Sequence, residues 1–352
     1  MKTFPVRWLI GLLMAALFVS GCYGSTRPVV KIGLIAPFEE LYRDDGYEVL
    51  NAVKLAVQER NAAGGVAGRD VALVALNDNA RPDEARQQAA KLAVDADVLG
   101  VIGPVKAGSA AAGPALTERG LPWIALTELA PDELAGGIGL ALSPETLGAA
   151  AVARLSAQPG VDSVALLSDW PEARAGAEAT GVTVRSLPLA SAGQLASSAG
   201  QGVAWLGDAE EGARLAAALG LQATMIGGSE VGSHMFAGRA GSNAAAVSWL
   251  SIAPDGDKTP QSFVAAYRAL AGADPGPQAV LAYDAANLLL DAMELAGSDG
   301  GEFDRAAVQQ ALLKLGSTGW QGATGPIHWD TGCQLAAGCQ RMDGPVYQHA
   351  VR

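Results

Sequence analysis

The 352-residue chain is short of several things that would each announce a chemistry. It has three histidines, His234, His328 and His349, and three cysteines, Cys22, Cys333 and Cys339. No Cys-x-x-Cys or His-x-x-x-His spacing occurs among them, so no metal site of ordinary pattern is expected. Positive charge is scarce: the formal net charge is −12, which argues against a nucleic-acid partner, since that needs a basic face. Beyond the first twenty or so residues no run is long and apolar enough to span a bilayer. There is no Gly-x-Ser-x-Gly elbow and no Gly-x-x-x-x-Gly-Lys phosphate loop. "GGSEVG" departs from the elbow because the glycine after Ser229 comes one place too far. "NAAGGVAGR" follows a helical pattern instead of preceding one, which makes it a turn and not a phosphate cradle. An enzyme is not expected, nor is a cofactor. Aromatics make up 5% of a chain that is half hydrophobic and rich in Ala and Gly, a composition suited to close-packed helices on sheets.

The N-terminal segment is present and specific. Lys2 and Arg7 precede an apolar stretch, Trp8 to Val19, that is too short to cross a bilayer comfortably. A basic start, a short apolar region and small residues describe a secretory signal. It ends in Val19-Ser20-Gly21-Cys22, which resembles the bacterial lipobox, and the resemblance implies a lipidated Cys22. Residues 1–21 are therefore expected to be a lipoprotein signal peptide and 22–28 a tether, which gives an extracytoplasmic protein held to the membrane through lipid alone. In an exported chain, Cys333 and Cys339 can form a disulfide around "CQLAAGC".

The mature chain exceeds the usual size of one core, so two lobes are expected. Apolar runs at Val29–Ile35, Val71–Leu76, Val98–Ile102 and Trp123–Leu126 alternate with helical patterns at Tyr47–Asn61, Pro82–Val94 and Ser109–Arg119. A second set of strands follows at Val164–Leu167, Val182–Arg185, Val203–Leu206 and Thr224–Ile226, with a helix over Ala209–Leu219. Helical stretches at Pro260–Leu270, Gln278–Ala296 and Asp304–Leu315 come next, then strand-like runs at Gly325–Trp329 and Pro345–Val351. This alternation predicts α/β architecture with parallel sheets covered on both faces. Ligands of such sheets bind beyond the carboxyl ends of the strands, which here carry "APFEELYRDDG", "NDNARP", "GPVKAGS" and "LTELAP".

"NAAGGVAGR", a strand, an Asp-containing loop, a helix and then "VIGP", together with "AYDAANLLLDAMELAG" and "GATGPIHWD", resemble the leucine/isoleucine/valine-binding protein family. Members are type I periplasmic binding proteins of ABC importers. The resemblance implies two doubly wound parallel-sheet lobes joined by three crossing segments, closing by hinge motion on a small solute. It places lobe 1 at 29–142 plus 253–324 and lobe 2 at 143–252 plus 325–352, with crossings near 141–143, 252–254 and 324–327. The implied partners are a small-molecule ligand and ABC permease subunits, with the protein itself a monomer. A ligand sensor or envelope regulator on the same fold is the alternative.

The ligand positions of the family carry other residues in this chain. Its carboxylate-holding serine falls on Ala107, with Ser109 two places on. Its threonine falls on Leu129, with Thr127 nearby. Its first-loop aromatic falls on Asp45, while Tyr42 matches a tyrosine common in that loop. Its ammonium-binding glutamate falls on Ser229, with Glu230 next. The expected ligand-binding set is Tyr42, Asp45, Ser109, Thr127, Glu128, Asp208, Ser229, Glu230 and Tyr283. Four of these are acidic, and apposed carboxylates in a water-poor cleft repel unless a cation or a hydroxyl-rich ligand intervenes. An amine or a neutral polar solute is expected in preference to leucine.

Overall fold

The computed structural model describes residues 27–195, 200–298, 303–329, 333–342 and 344–351. The expected signal peptide and the lipidation at Cys22 lie outside them.

The described residues form two six-stranded sheets of matching order. The first runs β13-β5-β4-β3-β1-β2, with β1 Val29–Ala36, β2 Asp70–Asn77, β3 Val98–Ile102, β4 Trp123–Ala125, β5 Ile138–Gly139 and β13 Cys339–Gln340. All its pairings are parallel. The second runs β14-β10-β9-β8-β6-β7, with β6 Ser163–Ser168, β7 Val184–Leu187, β8 Gln201–Leu206, β9 Thr224–Gly227, β10 Val247–Ser251 and β14 Tyr347–Ala350. Its pairings are parallel except for β14 on β10. Strands buried on both faces read as continuous apolar runs, and Ile32, Leu34, Ile35 and Ala36 of β1 are all fully buried.

The helices that cover the first sheet include α1 (Arg43–Ala62), α2 (Pro82–Val94) and the short α3 (Ala112–Thr117). The sequence predicted one helix over Ser109–Arg119. The chain instead makes a 3₁₀ turn at Ala107–Ser109 before α3. Gly113 of α3 lies against Trp123, whose ring atoms would stand 2.7 Å from any added Cβ. The second lobe opens with α4 (Pro144–Ser156), where the Ser143 hydroxyl accepts from the Thr146 N–H and Pro144 takes the first turn. It continues with α5 (Pro171–Ala179), α6 (Ala209–Leu219) and α7 (His234–Ala240). Then α8 (Gln261–Ala271), α9 (Pro277–Ser298) and α10 (Arg305–Thr318) return to the first sheet, where α9 packs on α1 and β3.

The chain passes between sheets after β5 and again after β10. The third passage differs. Residues 324–327 do not cross; they form β12 (Gly325–Ile327), paired with β11 (Trp320–Gly322) in a hairpin beside α9. Trp329 then docks on α10, its N–H donating to Gly316 O and its indole to Leu313 O. Cys339 and Gln340 add a parallel strand to the first sheet, Arg341 and Met342 bond on to Gly139 and His328, and the crossing falls between Met342 and Tyr347. The buried Trp329 and Ile327 are what hold this segment in the first lobe, contrary to the expected boundary at 325. Cys333 and Cys339 are disulfide-bonded in this region, with Cα atoms 5.6 Å apart. One apolar cluster runs through the hinge, joining Leu140, Leu142, Leu250 and Ile252 to Leu281 of α9.

Candidate functional site

Both sheets reverse direction of winding beside their first strand, β1/β3 in one lobe and β6/β8 in the other. Crevices form at such switch points, outside the carboxyl ends of the strands. The loops that leave β1, β3 and β4 meet the loop that leaves β9, and the lobes touch there through side chains.

Four ionisable groups meet at this seam, each at least nine-tenths buried: Asp45, Lys106, Glu128 and Glu230. Asp45, on the first turn of α1, faces both lobes. Its Oδ2 stands 3.1 Å from Lys106 Nζ, and its Oδ1 accepts from the His234 N–H at 3.2 Å. Neither Asp45 Oδ2 nor Lys106 Nζ has a hydrogen bond of regular geometry, so the pair is ionic. Lys106 Nζ also lies 5.3 Å from the centroid of the Tyr42 ring, a cation–π distance. Glu230 of the second lobe accepts from the Ala107 N–H at 3.0 Å. Glu128 of the first lobe accepts from Ser229 N–H at 3.1 and 3.3 Å and from the Ser229 hydroxyl. Thr127 Oγ1 lies 3.4 Å from Ser229 Oγ. At Gly228 an added Cβ would stand 2.8 Å from Leu147 Cδ2 and 3.2 Å from the Glu128 carboxylate, so the glycine leaves room for this approach. Between Glu128 and the hinge residues the enclosed space is about 10 Å³, on the order of a single water.

Burial dominates the electrostatics. It pushes the Glu128 and Glu230 carboxyls above their ordinary range, against Ser229 in the first case and Lys106 in the second. It pulls Lys106 down, but Asp45 and Glu230 more than offset this and the ammonium is held above its usual value. Tyr42 is raised, first by burial and then by Glu230, Asp208 and Asp45. The seam therefore has one cation facing three carboxylates.

The structure brings Tyr42, Asp45, Thr127, Glu128, Ser229 and Glu230 together. Three other expected residues lie elsewhere. Asp208 is exposed and caps α6, its carboxylate accepting from Glu211 N–H at 2.8 Å. Ser109 is fully buried inside the first lobe beside Asp78, whose carboxyl is raised by burial against a smaller lowering from Ser109. Tyr283 sits on the flank of the first lobe, donating to Glu59 Oε2 and packing 4.7 Å from Phe263. A tyrosine that opens an apolar helix is as readily core as cleft, and here α1 and α8 claim it. Lys106 is the residue that sequence reasoning missed. Its only trace in the sequence is its place after a buried strand in "GPVKAGS", where a lone lysine reads as solvated surface. Among the described residues no group of three or more His, Cys, Asp or Glu is arranged to hold a metal.

A family model described as "Periplasmic binding protein" matches residues 29–201. The Leu/Ile/Val-binding protein BraC3 of Rhizobium johnstonii is 34% identical over 110 residues, which cover 31% of this chain and 30% of that protein. The match thus spans less than a third of the curated relative's length. Two solved structures share the fold. The branched-chain amino acid transporter substrate-binding protein LivJ from Streptococcus pneumoniae, in complex with isoleucine, aligns with a TM-score of 0.73 at 20% identity, over 91% of this chain and 95% of that one. A solute-binding protein of an ABC transporter from Rhodopseudomonas palustris, in complex with 3,4-dihydroxybenzoic acid, aligns with a TM-score of 0.66 at 21% identity, over 91% and 92%. Over residues 29–201 the chain is thus similar to the periplasmic binding proteins, and the two-lobed fold around that stretch is the one these solved structures share.

Proposed function

We propose that the protein is an extracytoplasmic solute-binding component of an ABC importer, tethered to the membrane through a lipidated Cys22. One observation carries the reading. Loops at the carboxyl ends of two parallel sheets, on lobes joined by crossing segments, meet in a seam whose polar groups come from both sides. That is the arrangement a hinge-closing binder needs, because each lobe completes the other's hydrogen bonds. Among the described residues no helix is long and apolar enough to cross a membrane, which suits attachment by lipid.

The solute class follows from charge. Relatives of this fold are complexed with isoleucine or an aromatic acid. This seam offers Asp45, Glu128 and Glu230 and buries them, so an anionic solute would add like charge in a poorly solvated place. An amine-bearing or neutral polar solute fits better than a branched-chain amino acid. A thermal-shift screen of amino acids, amines, amides, sugars and aromatic acids tests this. Stabilisation of about 2.7 kcal/mol is expected at 100-fold excess over Kd for a true ligand. Sub-micromolar leucine binding by calorimetry would restore the plain branched-chain reading, and a screen with no stabilising solute would remove the importer role.

A further inference from the structure

Lys106 is among the largest side chains to be fully buried here, and it lies where the two lobes meet. A lysine is almost never buried completely unless it is paired. Its partners come from both lobes: Asp45 at 3.1 Å, with Glu230 and Glu128 close enough to raise its pKa. The next residue donates its backbone N–H to Glu230. Residues 106–107 therefore satisfy carboxylates on both sides of the seam. Lys106 Nζ and Asp45 Oδ2 stand 3.1 Å apart, and the ammonium also lies 5.3 Å from the centroid of the Tyr42 ring. The ammonium is held by charge and by the Tyr42 ring, on a stem of single bonds that can swing away.

We propose that Lys106 is a tethered ligand: its ammonium fills the cation position of the interlobe site, draws the lobes together, and competes with any solute. This rests on the solute-binder reading above and deepens it, since a competing solute must itself carry a primary ammonium on an alkyl stem. Lys106 then sets specificity twice. It excludes solutes that cannot replace its charge against Asp45 and Glu230, and it weakens those that can, because they must first displace it. The apolar-lined space beside Glu128 is about 10 Å³, too small for a leucine side chain as the lobes stand.

The experiment is chemical rescue on the full mature chain, read by small-angle scattering and thermal melting. Wild type is expected to be compact with nothing added and unmoved by n-propylammonium, whose charge and length match the part of the lysine side chain that alanine lacks. Lys106→Ala removes the cation and leaves its volume empty. It should expand the protein and lower Tm, and n-propylammonium at millimolar concentration should reverse both changes. Lys106→Met, which keeps the volume and is the gentler change for folding, should expand without being rescued. A Lys106→Ala protein as compact as wild type overturns the proposal, and so does an equal response of wild type and variant to the amine. A wild type that is expanded until a solute is added overturns it too, while leaving the importer reading intact. Conversely, rescue of Lys106→Ala stands even if no natural solute is found.

Discussion

Two buried ionic networks in this molecule use the same chemistry to different ends. In the first lobe, Asp284 of α9 is buried and accepts from the N–H of Ala323 at 2.7 Å, the N–H of Thr324 at 2.8 Å and the Thr324 hydroxyl. Arg341 then donates to Thr324 Oγ1, Thr324 O and Pro326 O. Everything in that network belongs to one lobe, and it ties the β11–β12 hairpin to α9. At the seam, the hydrogen bonds of Asp45, Glu128 and Glu230 end on residues of the opposite lobe. Burial acts alike on both networks: it raises the Asp284 and Glu128 carboxyls and pulls Arg341 down to about 10. The difference lies in what rupture exposes. Opening the seam hydrates its charges without unfolding a lobe, whereas breaking the Asp284 network strands a buried arginine. One network is a rivet and the other is a clasp.

The largest effect should come from the rivet. Asp284→Ala leaves Ala323 and Thr324 N–H groups unpaired and Arg341 uncompensated, a loss of about 3–5 kcal/mol of unfolding free energy. Denaturant melting measures it. A loss below about 1 kcal/mol would mean that the two networks do not differ in the way described.

Glu128→Ala should cost less and appear elsewhere. It removes the acceptor of the Ser229 N–H and hydroxyl across the seam. The expected penalty is about 1–3 kcal/mol, the cost of a donor left without its partner. That penalty falls on closure, so the scattering radius should grow while denaturant stability of the lobes changes little. An equal loss in unfolding free energy with no expansion would make the seam a second rivet.

The pH dependence is smaller still, and its sign is fixed by the groups around the seam. Glu128 and Glu230 have raised pKa values when buried, first through desolvation. The closed form thus binds more protons than the open form. Its advantage is complete below the ordinary glutamate range and is lost as pH rises through the raised values. His234, half-exposed and 3.9 Å from Glu48 across the lobes, is also raised, chiefly by that carboxylate. Its contribution is present below the ordinary histidine value of about 6.5 and fades above its raised one. Asp45, Tyr42 and Asp208 face the same groups, and Lys106 stays charged across this range. The compact fraction should therefore fall as pH rises above the ordinary glutamate range and through the raised values, and Glu128→Gln should flatten the change. A rise with pH would contradict the desolvation account.

Much of the fold could be read from the sequence because its strands are buried on both faces and so appear as unbroken apolar runs. The α6 helix ends where its pattern ends, Ala209 to Leu219. The third crossing was not legible, because Gly325–Ile327 is strand-like whichever lobe it joins. Only the burial of Ile327 and Trp329 against the α9–α10 side decides it. At the seam, Asp45, Glu128 and Glu230 were legible as an acid excess at strand ends. Lys106 was not, because a lone lysine in a loop reads as solvated surface. Nothing local to "GPVKAGS" says that three carboxylates, one of them more than 100 positions away, will fold around it.

The smallest effect should come from Asp208, the acidic residue that the sequence grouped with the other three. Its carboxylate already has a partner in the Glu211 N–H, and its backbone carbonyl accepts from the Trp205 indole at 2.9 Å. An aspartate at a helix N-cap contributes about 1 kcal/mol over alanine. Asp208→Ala should therefore lower second-lobe stability by about that amount. It lies in the field of Tyr42 and Glu230 without touching either, so its removal slightly eases the burial of Glu230. Affinity for any solute found in the screen should change by less than about 0.5 kcal/mol, the range of substitutions that break no buried contact. A loss of binding as large as that of Glu128→Ala would place Asp208 on the ligand and extend the clasp to the carboxyl end of β8. A stability loss with unchanged affinity keeps the seam to the loops after β1, β3, β4 and β9.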